Sequence, residues 1–186
     1  IQYRLPRTPV KKITSILVQQ NDDPWKTSSD RDSILTSQKL TNEKMEELHK
    51  KNEKCNLIVW SEGCLKSAYP DAKSHYDIYP YESPLGDFIK RHQTPLLAGG
   101  SFIRKYSDGT RDYYNSAFVF DKDANFRGYY PKNHLVPFAE AIPFMEYPQV
   151  KAFMEKVIGI SAGWTPGDQY TYFDIPCKWY DKPITE

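Results

Sequence analysis

Apolar positions fall along the chain in short blocks separated by polar, proline-bearing stretches. "KKITSILVQQND" gathers Ile13, Ile16, Leu17 and Val18 into one apolar stretch closed by polar turn residues, which predicts a strand. "DDPWKTSSDRD" supplies Ser, Thr and Asp as candidate helix N-caps. Over 30–53 the spacing changes: Ile34, Leu35, Leu40, Met45 and Leu48 recur at roughly helical intervals with charges between them, which predicts a helix. "CNLIVWSEG" is a short, almost wholly apolar strand of the kind buried on both faces. "ESPLGDFIKRHQTP" predicts a shorter helix capped by Ser83. From 95 to 131 strands alternate with turns at "SDGT" and "DKDAN". A Pro-rich loop follows, then a helix over 148–160, then a turn at "GWTPGD" leading into a strand at "QYTYFDIP". Strands and helices in this order predict an α/β layered domain.

The length of 186 residues suits one domain with a sizeable core. With 25 basic and 24 acidic residues, the net charge of +1 lacks the basic excess of a nucleic-acid binder. No apolar run approaches the roughly 20 residues that span a bilayer. "IQYRLPRTPVKK" has no apolar signal-peptide core. Cys55, Cys64 and Cys177 contain no C-x-x-C pair, and the four histidines have no ligand spacing, so no metal site or cofactor is expected.

Two places carry candidate chemistry. Glu62 follows the buried strand at its C-terminal end, where open α/β sheets hold their sites. Partial burial there would let its carboxylate work as a general base; the plainer reading is a surface acid in a turn. In "YYPKNHLVPFAE", Lys132 sits between strand-like aromatics and a Pro-bounded apolar run. Its ammonium could stabilise a developing oxyanion, or simply be solvated. Glu140, eight positions on, could pair with it and keep it charged. Gly99-Gly100 ends "PLLA" without a G-x-x-x-x-G-K pattern and reads as close backbone packing, not a phosphate loop.

"SILVQQND", "LIVWSEG", "PLLAGGSF", "YYNSAFVFD" and "YYPKNHLVPFAEAIPF", in this order, resemble the nitrilase-like domain of apolipoprotein N-acyltransferases from about residue 13 onward. The K-N-H-L-V-P-F-A-E stretch is the most specific part; Ser61 stands where Pro is more common, and Ala139 where Gly is usual. The resemblance implies an α-β-β-α sandwich, present here as an incomplete portion. It implies that Glu62 is the general base, Lys132 the catalytic lysine of a Glu-Lys-Cys triad, and Glu140 a supporting glutamate. Trp25 falls near the family's Trp after the first strand.

The implied reaction is transfer of an acyl chain from a phospholipid to the N-terminal diacylglyceryl-cysteine of a lipoprotein, through a thioester. Those two lipids are the implied partners, with no nucleic acid. The parent protein would lie in the bacterial inner membrane, held by helices ahead of this chain, with this domain on the periplasmic side. Residues 1–12 would then be a linker from the membrane region, and 13–186 the nitrilase-like domain.

None of the three cysteines has the strand-end context of the family's nucleophile, so the domain is expected to be truncated before its nucleophile strand. On that expectation the segment alone is inactive. Two alternatives stand beside this reading: a carbon–nitrogen hydrolase acting on a soluble amide, and a non-catalytic lipid- or lipoprotein-binding module.

Overall fold

The computed structural model describes residues 13–21, 29–137, 140–141, 147, 149–150 and 163–174. They form one five-stranded mixed sheet. Its strands are β1 (Ser15–Val18), β2 (Leu57–Trp60), β3 (Leu96–Lys105), β4 (Arg111–Phe120) and β5 (Phe126–Pro131), hydrogen-bonded in chain order. β1, β2 and β3 run parallel; β4 and β5 add antiparallel. Helix α1 (Asp30–Lys50) makes the crossover from β1 to β2. The short α2 (Lys73–Tyr76) and α3 (Leu85–His92) lie between β2 and β3. Parallel neighbours need such crossovers, whereas the β3–β4 hairpin closes through the "SDGT" turn, with Gly109 at φ +86°.

Trp60 shows that α1 and α3 cover the same face. Its ring packs 5.5 Å from that of Phe88 on α3, and its Nε1 donates to Thr41 Oγ1 on α1 at 3.0 Å. Ile16 and Val18 are buried on this face, while Leu17 between them is 76% exposed on the other. At β1, strand alternation thus buries one face and exposes the other. The arrangement is one helix-covered layer of the expected sandwich. No second sheet occurs among the described residues.

The interior face of α1 is more polar than its Leu and Ile spacing suggests: Ser33, Ser37, Gln38 and Thr41 are buried with Ile34, Met45 and Leu48. Their polar atoms are satisfied. Ser33 Oγ donates to the Cys64 carbonyl at 2.8 Å, Gln38 Nε2 to the Ser83 carbonyl at 2.9 Å, and Thr41 Oγ1 to the Ser37 carbonyl at 2.7 Å.

Several boundaries differ from expectation. α1 starts at a cap as predicted, with Ser29 Oγ accepting from Asp32 N. It stops at Lys50, not Glu53, because Asn52 takes a left-handed φ of 57°. That turn lets Asn52 N reach the His49 carbonyl and Glu53 N the Leu48 carbonyl. Ser83 does not cap α3; Pro84 holds that position, and no side chain makes the capping bond. α2 was not anticipated. It is four residues long and shows no hydrophobic period; Tyr76, hydrogen-bonded to Ser67 and Asp30, anchors it.

The strand expected after "GWTPGD" is absent from 163–174. The turn before it is tied to the rest of the fold: Trp164 N donates to the Glu140 carbonyl, Thr165 N to that of Tyr113, and Gly167 N to that of Lys132. Trp25, Cys177 and all of the 148–160 helix except Gln149 and Val150 lie outside the described residues.

Candidate active site

The turn after β2 is held from two sides. α1 grips it through Ser33 on the Cys64 carbonyl. β3 lies so close that a Cβ on Gly99 would sit 2.6 Å from Glu62 Cα and 2.8 Å from the Ser61 carbonyl oxygen. The Gly99 carbonyl in turn accepts from Leu65 N at 3.0 Å. Gly99-Gly100 is therefore a close-packing element that fixes where Glu62 emerges.

Lys132 stands one residue beyond β5. Its backbone N donates to the Asn115 carbonyl at 2.8 Å, extending the β4–β5 pairing by one step. Cross-strand partners project to the same face, so the Lys132 and Asn115 side chains rise together. Asn115 alternates with Phe118, three positions on and part of the helix-side core, and so points to the face away from the helices. The loop from Lys132 then folds back: Glu140 N donates to the Val136 carbonyl at 2.9 Å, and Val136 N to Glu140 Oε2 at 2.8 Å.

These placements bring Glu62, Lys132 and Glu140 together. Lys132 Nζ lies 2.8 Å from Glu140 Oε1 and 3.7 Å from Glu62 Oε1. Asn115 Nδ2 donates to Glu62 Oε1 and, at 3.3 Å, to Glu140 Oε1. The two carboxylates differ in exposure. The Glu140 side chain is 13% exposed and that of Glu62 is 63%. The partial burial expected of Glu62 is thus not found among the described residues: β2 ends at Trp60, and the carboxylate stands beyond it on the turn.

Electrostatics follow from these contacts. The hydrogen bond to Glu140 holds Lys132 above the ordinary lysine value, against the opposing effect of desolvation, with the Glu62 charge adding to it. Desolvation pushes the Glu140 carboxyl up, but the bonds from Lys132, Val136 N and Asn115 together outweigh it and leave it below the usual carboxylate value. The ammonium and the Glu140 carboxylate are both charged at neutral pH.

Neither described cysteine offers a thiolate. Cys64 is fully buried, with Sγ 3.2 Å from the Gly99 carbonyl, and burial pushes its thiol up to about 12. Cys55 is also buried, and desolvation raises it too. Asn115 and the Trp164–Gly167 strap escaped the sequence reading. The one available signal for Asn115 was an amide inside the otherwise aromatic and aliphatic "YYNSAFVF". A separate cleft of about 650 Å³ lies at the opposite ends of these strands, near Asn56, Pro95 and Phe120.

The model of the carbon–nitrogen hydrolase family matches residues 17–178. The chain belongs to the carbon–nitrogen hydrolase family. It is 38% identical over 167 residues to apolipoprotein N-acyltransferase 2 of Treponema denticola, covering 90% of this chain and 30% of that protein. It is 33% identical over 139 residues to apolipoprotein N-acyltransferase of Borreliella burgdorferi, covering 75% and 26%. The chain thus spans about a third or less of the length of these relatives. A solved carbon–nitrogen hydrolase from Helicobacter pylori G27 aligns at a TM-score of 0.47 and 23% identity, covering 84% of this chain and 45% of the other. No helix among the described residues is long and apolar enough to cross a membrane.

Proposed function

We propose that this chain carries the catalytic glutamates and lysine of an apolipoprotein N-acyltransferase. The observation that carries the reading is the Lys132 ammonium held between Glu62 and Glu140 at the strand ends. The names of its relatives direct it to lipid substrates.

In the first half-reaction Glu62 takes the proton of a cysteine thiol, and the thiolate attacks the ester carbonyl carbon of a phospholipid. Lys132 stabilises the tetrahedral oxyanion. The carbon–oxygen ester bond breaks, the leaving alkoxide takes the proton from Glu62, and a thioester remains. In the second, the α-amino group of a diacylglyceryl-cysteine attacks the thioester carbon. Glu62 accepts an amine proton, the carbon–sulfur bond breaks, and the thiol is restored beside a new amide. Glu140 keeps Lys132 charged throughout. In this reading neither Cys55 nor Cys64 contributes the thiol. The whole protein works at the bacterial inner membrane, with this domain on the periplasmic side.

The test uses the full-length protein with a phospholipid labelled in its acyl chain and a diacylglyceryl-cysteine peptide. Label should appear in a hydroxylamine-sensitive adduct and then in the peptide amide. Lys132→Ala and Glu62→Gln should each lower transfer by on the order of 10²–10³-fold, the cost of losing an oxyanion donor or general base. Hydrolysis of a soluble amide without transfer would favour an amidase instead. Lipid binding with no adduct would favour a binding module.

A further inference from the structure

We propose that Asn115 is a positioning residue that gives the two glutamates different jobs, by donating one amide hydrogen to each of them. The proposal rests on the reading of Glu62 and Lys132 given above.

Glu140 holds three donors. Its Oε1 accepts from Lys132 and Asn115, and its Oε2 from Val136 N. A carboxylate holding three donors is a poor proton acceptor. Glu62 differs. Asn115 engages its Oε1, no hydrogen bond to its Oε2 occurs among the described residues, and the side chain is largely exposed. The free oxygen is the one able to take a proton.

The amide is suited to this because of what it cannot do. Both neighbours of Nδ2 are carboxylate oxygens, which only accept when ionised, so the nitrogen must face them and the carbonyl oxygen must face away. Without those two hydrogens, Glu62 loses the side-chain bond that holds its Oε1 and can close its 3.7 Å gap to Lys132 as a second counter-ion. The backbone part played by Asn115, accepting from Lys132 N, survives any side-chain substitution, so the two roles are separable.

The test compares Asn115→Ala, Asn115→Asp and Asn115→Ser in the full-length protein, reading kcat, KM and the pH profile of acyl transfer. Losing both donors should lower kcat in Asn115→Ala by roughly 10–100-fold, with KM little changed. Asn115→Asp keeps the shape but replaces donors with acceptors. It should fall below the alanine variant and move the acid limb of the profile up by about one pH unit, as a third carboxylate enters the cluster. Asn115→Ser, with one donor, should lie between wild type and alanine, and it carries the test if the aspartate variant fails to fold.

Wild-type behaviour in Asn115→Asp would overturn the proposal, because shape alone would then suffice. Equal losses in all three variants with an unmoved acid limb would also overturn it, as plain packing damage. Transfer retained by Lys132→Ala and Glu62→Gln would instead refute the functional reading, leaving the two failures distinguishable.

Discussion

Replacing Gly99 by alanine tests whether the Glu62 turn is fixed by backbone contact. A Cβ there would meet Glu62 Cα at 2.6 Å, the Ser61 oxygen at 2.8 Å and Gly63 N at 3.1 Å. All three are main-chain atoms of one turn, so no rotamer change relieves the clash. Carbon pairs rest at about 3.5–4.0 Å, which requires the turn and β3 to separate by about 1 Å. Overpacking of this kind costs about 1–3 kcal/mol. In a chain of this size each kcal/mol lowers Tm by about 2–4 °C. The same displacement would carry Glu62 away from Lys132, and a misplacement of about 1 Å can cost about 10²-fold in rate.

Gly86→Ala is the matched control. Its Cβ would meet only Ala124 Cβ at 3.8 Å, an ordinary contact, in the first turn of α3. Helix propensity then favours alanine by up to about 1 kcal/mol. Thermal melts of this chain by circular dichroism should give opposite signs for the two variants, and acyl transfer by the full-length protein should fall only in Gly99→Ala. If Gly99→Ala melted with the wild type and kept its activity, the claim that β3 fixes the Glu62 turn would be refuted.

Glu140 and Lys132 set a pH window. A carboxyl held below its ordinary 4.5 contributes stability above that value, lost as pH falls through its folded value. An ammonium held above 10.5 contributes below that value, lost as pH rises through its folded value. In denaturant titrations Glu140→Gln should therefore be less stable than wild type by a constant margin between about pH 5 and 10, shrinking in acid; a margin that grew in acid would contradict the assignment. Native-state iodoacetamide at pH 8 should leave Cys64 unlabelled, since only thiolate reacts and this thiol is pushed up to about 12. Labelling before unfolding would refute its burial.

Legibility in the sequence tracked how local each cause is. α1 was readable because Ser29, the charged spacing and Asn52 all act within a few residues, although the Asn52 stop was overlooked. Lys132 and Glu140 were readable as a possible pair because one short loop carries both. Gly99-Gly100 was readable as close packing, but not as packing against Glu62, because the pairing of β2 with β3 decides that. The partners of Asn115 are not legible in the sequence, which shows only an amide inside an apolar strand. Asn115 lies 53 residues from Glu62 and 25 from Glu140, and only the sheet's register makes them neighbours. The 163–174 segment misled for the opposite reason. Its alternating aromatics suit a strand, but residues 169–174 join no ladder of the sheet, and only the turn before them is bonded to the Lys132–Glu140 loop and to β4.

On the proposed mechanism, the charge count of the cluster explains why a lysine needs two glutamates. Two carboxylates and one ammonium leave one net negative charge, which by itself opposes forming a thiolate nearby. Removing the thiol proton to bulk water would raise that to two. Passing it to Glu62 instead leaves the total unchanged: Glu62 becomes neutral as the sulfur becomes negative, and the Lys132 ammonium, 3.7 Å from Glu62 Oε1, is released to face the new anion. The same transfer to Glu140 would also conserve charge, but it would neutralise the partner that pairs with Lys132 at 2.8 Å and would set a proton against three donors. On this mechanism the proton goes to the more exposed carboxylate and not to the one that already holds three donors. The difference in their hydrogen bonding, with Asn115 reaching both, is the feature that enforces this.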